Sequence, residues 1–174
     1  MTSKLSESAK GVYIIAATPF TDDGALDLQS VDTLTDFYIR CGVHGLTLLG
    51  MMGEAHKLAP DESIDVVKRV ISRAGDRQVI VGVSHGGLEN VRRLSHEAMI
   101  AGAAGVMVAP PAGLKGDDGV YNYYVQVFAA LGPDIPVVYL PKPDVRYPDQ
   151  YSEDWFYGVM PKFNQAMIDT LGGE

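Results

Sequence analysis

The sequence predicts an α/β protein built from repeated β-strand–α-helix units. Short apolar runs alternate with longer amphipathic segments, and the centres of the runs fall about 30 residues apart, which is the period of a βα unit. The runs show little polar alternation, as is typical of parallel strands that are buried on both faces. Because crossovers between parallel strands are right-handed, we expect all the strands to run in one direction.

The first unit begins with a strand over residues 12–17, which is expected to be buried on both faces. Thr18-Pro19-Phe20 ends this strand, and Asp22-Asp23-Gly24 forms a turn. A helix is predicted over residues 28–41. The apolar residues that share one stripe of this helix are Val31, Leu34, Phe37 and Tyr38.

The later units follow in the same order. Further strands are predicted at residues 45–49, 79–83, 105–109 and 136–139, with a candidate sixth at 165–168. Helices are predicted at about 61–74, 88–101 and 117–131, and a short one at about 153–160 follows a polar loop, 143–152. In the second helix Ile64, Val67 and Ile71 are expected to face inward.

The chain is predicted to form one domain. Residues 1–10 form an N-terminal tail, and no linker or low-complexity segment divides residues 11–174. A five-strand doubly wound open sheet suits this length, whereas a complete eight-fold barrel needs about 250 residues. Both an open sheet and a partial barrel are therefore compatible with the strand–helix pattern.

The composition is that of a globular protein, with 174 residues, 47% hydrophobic and 21% charged. A formal net charge of −8 argues against a nucleic-acid partner, since binding phosphates requires a basic surface. The basic cluster Lys68, Arg69, Arg73 and Arg77 is interpreted as a solvated helix face. No apolar run approaches the roughly 20 residues of a membrane span.

The chain has a single cysteine, Cys41, so no intrachain disulfide can form. Its place at the end of the first predicted helix suggests a small buried residue. Residues 1–10 lack the apolar segment of a signal peptide. A reducing, cytoplasmic setting is therefore expected.

The turn after the second strand, Gly50-Met51-Met52-Gly53-Glu54, is the most informative motif. Loops at the carboxyl ends of parallel strands are where α/β proteins place their functional sites. The turn carries two methionines, and a thioether cannot donate a hydrogen bond. The side chains therefore argue against the hydroxyl chemistry that a reactive turn would use.

Four motifs, in order, resemble the dihydrodipicolinate synthase/N-acetylneuraminate lyase family. They are residues 11–20, 50–54, 105–111 and 137–141, so the similarity covers roughly residues 11–141. The resemblance implies a (β/α)8 barrel, of which this chain would supply about five or six strands. It also implies Schiff-base chemistry on pyruvate or a related 2-oxo acid without a cofactor, and a possible homo-oligomer.

The resemblance also implies roles for individual residues. Gly50, Met51, Met52 and Gly53 correspond to the turn that binds the substrate carboxylate, and Tyr139 corresponds to the tyrosine that relays protons. The family's turn is usually Gly-x-Thr-Gly-Glu, so its hydroxyl is missing here. The family's arginine after this tyrosine would fall at Asp144, and Arg146 is a candidate substitute.

The family's imine-forming lysine lies in a Gly-Ile-Lys-Asp motif on the sixth strand. The nearest segment here, residues 166–172, places Ile168 at the lysine position, and isoleucine cannot form an imine. Lys115, Lys142 and Lys162 are poor substitutes, because an exposed lysine stays protonated. We expect a truncated family member without its lysine, or alternatively a non-catalytic relative that binds a 2-oxo acid or only assembles with an intact subunit.

Other candidate residues have ordinary interpretations. His85, after the third strand, is interpreted as a loop histidine beside a glycine turn, although it is placed where it could polarise a substrate. His56 and Glu54 lie two residues apart, a poor spacing for metal ligands, and no metal site is predicted. Neither a dinucleotide-binding glycine motif nor a P-loop is present.

Overall fold

The computed structural model describes residues 3–111, 113–114 and 116–139. The strands in this part of the chain are β1 (Tyr13–Ile15), β2 (Gly45–Leu48), β3 (Gln78–Gly82), β4 (Gly105–Val108) and β5 (Val137–Tyr139). The helices are α1 (Leu28–Arg40), α2 (Pro60–Arg73), α3 (Leu88–Ala101) and α4 (Asp117–Leu131), with a 3-10 turn at Ala55–Lys57. The predicted elements at 143–152, 153–160 and 165–168 lie outside the described residues.

The five strands form one parallel sheet in the order β1-β2-β3-β4-β5. Each strand therefore pairs with its neighbour along the chain. A doubly wound sheet reverses its strand order at a switch point, and this sheet does not. The doubly wound alternative is thus wrong, and the consecutive order is that of a βα-barrel wall.

The main hydrophobic core lies between one face of the sheet and the helices. Side chains alternate between the two faces of a strand, and the residues that point toward the helices are almost fully buried. They are Leu46, Leu48, Val79, Val81, Val106 and Val108. The opposite face, here called the inner face, is formed by Tyr13, Ile15, Gly45, Thr47, Gln78, Ile80, Gly82, Gly105, Met107 and Val138.

The first strand is less buried than predicted. Val12 is 60% exposed and Ile15 is 46% exposed, so the expectation of two buried faces is wrong for β1. Among the described residues β1 pairs with β2 alone. An edge strand lacks the neighbouring side chains that would cover its inner face.

Helix α1 is rotated relative to the predicted apolar stripe. Val31 and Thr35 are the buried residues, whereas Phe37 is 50% exposed. The Thr35 hydroxyl donates to the Val31 carbonyl (2.8 Å), which satisfies its polar group inside the core. A small residue at this position lets the helix backbone approach the sheet, and hydrophobicity alone does not reveal such a position.

Helix α2 is also rotated relative to its predicted apolar stripe, and it too buries a small polar residue. Its buried residues are Ser63, Val66, Val67 and Val70. Of the residues predicted to face inward, Val67 is buried, while Ile64 and Ile71 are only half-buried. The helix begins at Pro60, and the Glu62 carboxylate accepts a hydrogen bond from the Ala59 N–H (2.8 Å).

Cys41 is exposed, so the prediction of a buried cysteine is wrong. It caps the C-terminus of α1, where its N–H donates to the Phe37 carbonyl (3.0 Å). The chain has already left the core at this point, and the side chain consequently points away from it.

The N-terminal tail contacts the sheet. The Leu5 N–H donates to the Ala104 carbonyl (2.8 Å), and the Gln78 amide donates to the Ser3 carbonyl (3.1 Å). Lys4 Nζ donates to the carbonyl of Asp134 (2.7 Å). Residues 3–5 thus cover the amino-terminal ends of β3 and β4.

No helix in the described ranges is both long and apolar enough to cross a membrane.

Paired charges join the outer surfaces of α1 and α2. The Arg69 guanidinium donates two 2.7 Å hydrogen bonds to Asp32, and Arg73 donates two 2.6 Å bonds to Asp36. Both helices space these residues four positions apart, so the pairs stack as a ladder. Lys68, Arg69 and Arg73 therefore form an exposed helix surface matched by carboxylates, whereas Arg77 lies beyond the end of α2.

This ladder predicts a pH dependence of stability. Hydrogen bonds from Arg69 and Arg73 lower the pKa values of Asp32 and Asp36 in the folded state. Groups whose folded pKa is lowered stabilise the fold above their unfolded pKa, and this contribution is lost as pH falls through the folded pKa, that is, from about pH 4 downward. Urea midpoints should therefore fall more steeply with acidification in the wild type than in Asp32→Asn/Asp36→Asn.

The matched control is Asp76→Asn, which removes an almost fully exposed carboxylate whose partner, Arg77, is its neighbour in the chain (3.2 Å), so no pair between helices is lost. The urea midpoint of this variant should change with pH in parallel with that of the wild type. Equal slopes for the double variant and the wild type below pH 4 would contradict a stabilising role for the ladder.

Candidate functional site

The turn after β2 has a constrained backbone. The Gly50 carbonyl accepts from the Gly53 N–H (3.0 Å), and the Met51 carbonyl accepts from the Glu54 N–H (3.1 Å). Leu49 and Glu54 adopt positive φ angles of 55° and 49°, which residues other than glycine adopt infrequently. Such strained conformations persist where the surrounding structure holds them.

Two neighbouring strands hold this turn in place. The buried hydroxyl of Thr18, after β1, donates to the Gly53 carbonyl (2.6 Å). On the other side the Leu49 backbone packs against Gly82 of β3, where an added Cβ would lie 2.8 Å from the Leu49 carbonyl carbon. Only a glycine at position 82 allows this approach.

Two backbone N–H groups of the turn are candidate donors to a ligand. In the described part of the chain, the N–H groups of Met51 and Met52 donate no hydrogen bond. The two side chains are 94% and 63% exposed. Consecutive backbone N–H groups in a turn form a concave site for an anion, and a carboxylate would accept charge-assisted bonds from them.

The inner face next to the turn is apolar. A Cβ added to Gly50 would lie 3.3 Å from Ile15 Cγ2 and 3.6 Å from Met107 Cε. The side chains of β1 and β4 therefore reach the turn from both sides. A ligand held by the turn would meet carbon and sulfur atoms on the inner face.

The loops after β3 and β4 complete this edge. The Ser84 hydroxyl accepts a hydrogen bond from the Ala109 N–H (2.8 Å), which ties the two strand ends together. His85 Nδ1 accepts a hydrogen bond from the Gly87 N–H (3.0 Å), and the Asn90 amide nitrogen lies 3.1 Å from the same ring nitrogen. His85 thus stabilises its own loop, as a loop histidine is expected to do.

Tyr139 faces the helices. The register pairs Met107 with Val138 and Val108 with Tyr139, so Val138 is on the inner face. The Tyr139 ring lies 5.3 Å from that of Tyr124, and burial raises the pKa of its hydroxyl. The register thus places the ring on the helix side of the sheet, and the role of Tyr139 as a proton relay stays a prediction.

The alternation of side chains along β5 is visible in the sequence, but only the pairing of β5 with β4 shows which of them face the helices. Period-two alternation puts Val137 and Tyr139 on one face and Val138 on the other. Which face is the inner one depends on the pairing of β5 with β4, where the Val106 N–H donates to the Pro136 carbonyl (2.9 Å). Sequence reasoning also missed Tyr124, whose buried hydroxyl donates to the Val108 carbonyl (3.0 Å).

None of the described strands contains a lysine. Lys57 pairs with Glu54 at 2.9 Å and Lys68 pairs with Glu97 at 3.5 Å, both on exposed surfaces. Ile168 and the three lysines considered as substitutes, Lys115, Lys142 and Lys162, lie outside the described residues. Residues 3–111, 113–114 and 116–139 also contain no group of three side chains that could hold a metal ion.

A parallel sheet in chain order, with helices packed on one face, defines an α/β protein of the βα-barrel type. The model of the dihydrodipicolinate synthetase family matches residues 8–143. The chain therefore belongs to this family, which confirms the resemblance that its motifs predict.

Individual relatives agree with this assignment. The 4-hydroxy-tetrahydrodipicolinate synthase of Thiobacillus denitrificans is 32% identical over 133 residues, covering 75% of this chain and 44% of the relative. The crystal structure of dihydrodipicolinate synthase from Rhodopseudomonas palustris matches with 48% identity and a TM-score of 0.76, over 79% of this chain and 46% of that one. The chain thus spans about half the length of these relatives.

A second activity within the family has the same fold. The N-acetylneuraminate lyase structure from Mycoplasma synoviae matches with 25% identity and a TM-score of 0.69, over 76% of this chain and 46% of that one. The shared architecture is consistent with the partial barrel that the sequence predicts.

The contact between Leu49 and Gly82 leads to a testable prediction. Gly82→Ala should lower the free energy of unfolding by about 1–3 kcal/mol, since the new methyl group overlaps the Leu49 carbonyl. Gly119→Ala, in α4, should raise it by about 1 kcal/mol, because nothing lies within 4 Å and alanine favours the helix. Urea unfolding followed by circular dichroism measures both.

Because the two substitutions should change the free energy of unfolding in opposite directions, they separate the steric overlap at position 82 from a general effect of replacing glycine by alanine. If Gly82→Ala were as stable as the wild type, the Leu49 backbone would not pack on this residue.

Proposed function

We propose that the chain binds 2-oxo acids such as pyruvate at the turn Gly50–Gly53, as a member of a family whose relatives are synthases and lyases. The observation that carries this proposal is the pair of N–H groups at Met51 and Met52, which donate no hydrogen bond within the described residues. They lie on a turn whose backbone is fixed from two sides. A carboxylate is the ligand that such donors suit.

The fixed turn would orient the ligand. With its carboxylate on the N–H groups, the ligand's 2-oxo carbonyl would extend over the inner face, past Ile15 and Met107. Thr18 would act as a positioning residue, since its hydroxyl holds the Gly53 carbonyl and thereby the turn. A preformed turn loses little conformational freedom on binding.

We further propose that binding occurs without imine formation by this chain. A lysine that attacks a carbonyl must be neutral, and burial away from water favours that form. The described lysines include none on the inner face. The prediction that Ile168 occupies the imine position supports the same proposal. The role of Tyr139 as a proton relay and the self-association of the chain both stay predictions.

The test combines a covalent and an equilibrium measurement on the folded chain. After incubation with pyruvate and borohydride, we expect the intact mass to be unchanged, whereas titration calorimetry should show saturable pyruvate binding. Thr18→Val should weaken this binding roughly tenfold, the equivalent of one hydrogen bond, while Thr18→Ser should retain it.

Circular dichroism and a sizing column, run first, establish that each variant is folded and report its oligomeric state. A pyruvate adduct on a lysine would overturn the proposal of binding without an imine. Absence of any pyruvate binding by the folded chain would overturn the carboxylate site itself.

A further inference from the structure

Two methionine side chains extend into solvent from the turn that carries the proposed carboxylate donors. Met51 and Met52 are 94% and 63% exposed, although methionine is normally among the buried residue types. The fold does not bury them, so their thioethers contribute little to the core. Their backbone N–H groups and their side chains would act on the same ligand.

The surface that adjoins the turn is also apolar. The methyl groups of Ile15 and Met107 lie against Gly50, and Ile15 is half-exposed rather than buried in the sheet. The inner-face residues of β1–β5 include no charged side chain. Lys57, the basic residue that follows the turn, is paired with Glu54.

We propose that this site selects 2-oxo acids with an apolar substituent at C3, with Met51, Met52, Ile15 and Met107 contacting that substituent. This inference rests on the proposed function, because the carboxylate must first be held by the turn. Methionine suits the task, since its flexible and polarisable thioether adapts to ligands of different shape. A second carboxylate is disfavoured, because the described inner face offers no cation to pair with it.

The test compares ligands of increasing length. Titration calorimetry measures the affinities of pyruvate, 2-oxobutanoate, 2-oxopentanoate and 2-oxoglutarate for the wild-type chain. Each added methylene should tighten binding by up to about fourfold, the value expected for a fully buried CH2 group. The affinity for 2-oxoglutarate should fall below that for 2-oxopentanoate.

Two double variants separate apolar contact from other effects. Met51→Leu/Met52→Leu keeps apolar side chains and should keep the dependence of affinity on chain length. Met51→Thr/Met52→Thr should flatten this dependence, whatever it does to the absolute affinities. The measured quantity is the change in affinity per added methylene. A general loss of stability would weaken all the ligands alike and leave this change the same.

Methionine oxidation gives a second readout on the unaltered protein. Limited peroxide treatment with peptide mass mapping should show Met51 and Met52 oxidising more slowly with saturating 2-oxopentanoate than with saturating pyruvate. Met99, on α3 and packed against the core, is the internal reference. Equal protection by the two ligands would overturn the contact.

The outcomes distinguish this inference from the function on which it rests. If pyruvate binds but added methylenes do not increase the affinity, the inference is overturned and the proposed function remains intact. Tighter binding of 2-oxoglutarate than of 2-oxopentanoate would also overturn it. If no 2-oxo acid binds to the folded chain, the proposed function itself fails.

Discussion

The geometry of the candidate site depends on one close approach between strands, that of the Leu49 backbone to Gly82. A side chain at position 82 would occupy the space of the Leu49 carbonyl. This contact supports the left-handed conformation of Leu49, which turns the chain over the inner face at the end of β2. The hydrogen bond from Thr18 to Gly53 fixes the other end of the same turn. The backbone on both sides of Met51 and Met52 is therefore held by contacts with neighbouring strands.

The two faces of the sheet carry different kinds of side chain. The helix-facing residues of β2, β3 and β4 are aliphatic and almost fully buried, and their burial supplies the main stabilisation of the domain. The inner face consists of glycines, the polar side chains of Tyr13, Thr47 and Gln78, and apolar side chains, of which Ile15 and Met107 lie next to the turn. Substitutions on the inner face would leave these helix-facing residues in place, although Gly82 must stay a glycine because of its contact with Leu49. Solved structures with the same fold include both a dihydrodipicolinate synthase and an N-acetylneuraminate lyase, so the fold alone does not determine the activity.

Charges lie on the outside of the molecule and pair across the helices. The Asp32–Arg69 and Asp36–Arg73 pairs connect α1 with α2, and Lys68–Glu97 connects α2 with α3. Exposed pairs of this kind each contribute little to stability, but they fix the relative positions of adjacent helices. They also leave these basic residues matched by carboxylates. The proposed carboxylate site consequently relies on backbone dipoles rather than on cationic side chains.

The sequence by itself determined the order and type of the elements, because apolar periodicity and glycine-rich turns are local properties. It located all five described strands and all four helices, and it identified the turn at residues 50–54. Tertiary structure decided the strand order, the rotation of α1 that buries Thr35 and exposes Phe37, and the side of the sheet on which Tyr139 lies. Alternation along β5 is visible in the sequence, but its pairing with β4 determines which residues face inward. That pairing is a contact between distant parts of the chain, and a single strand contains no information about it.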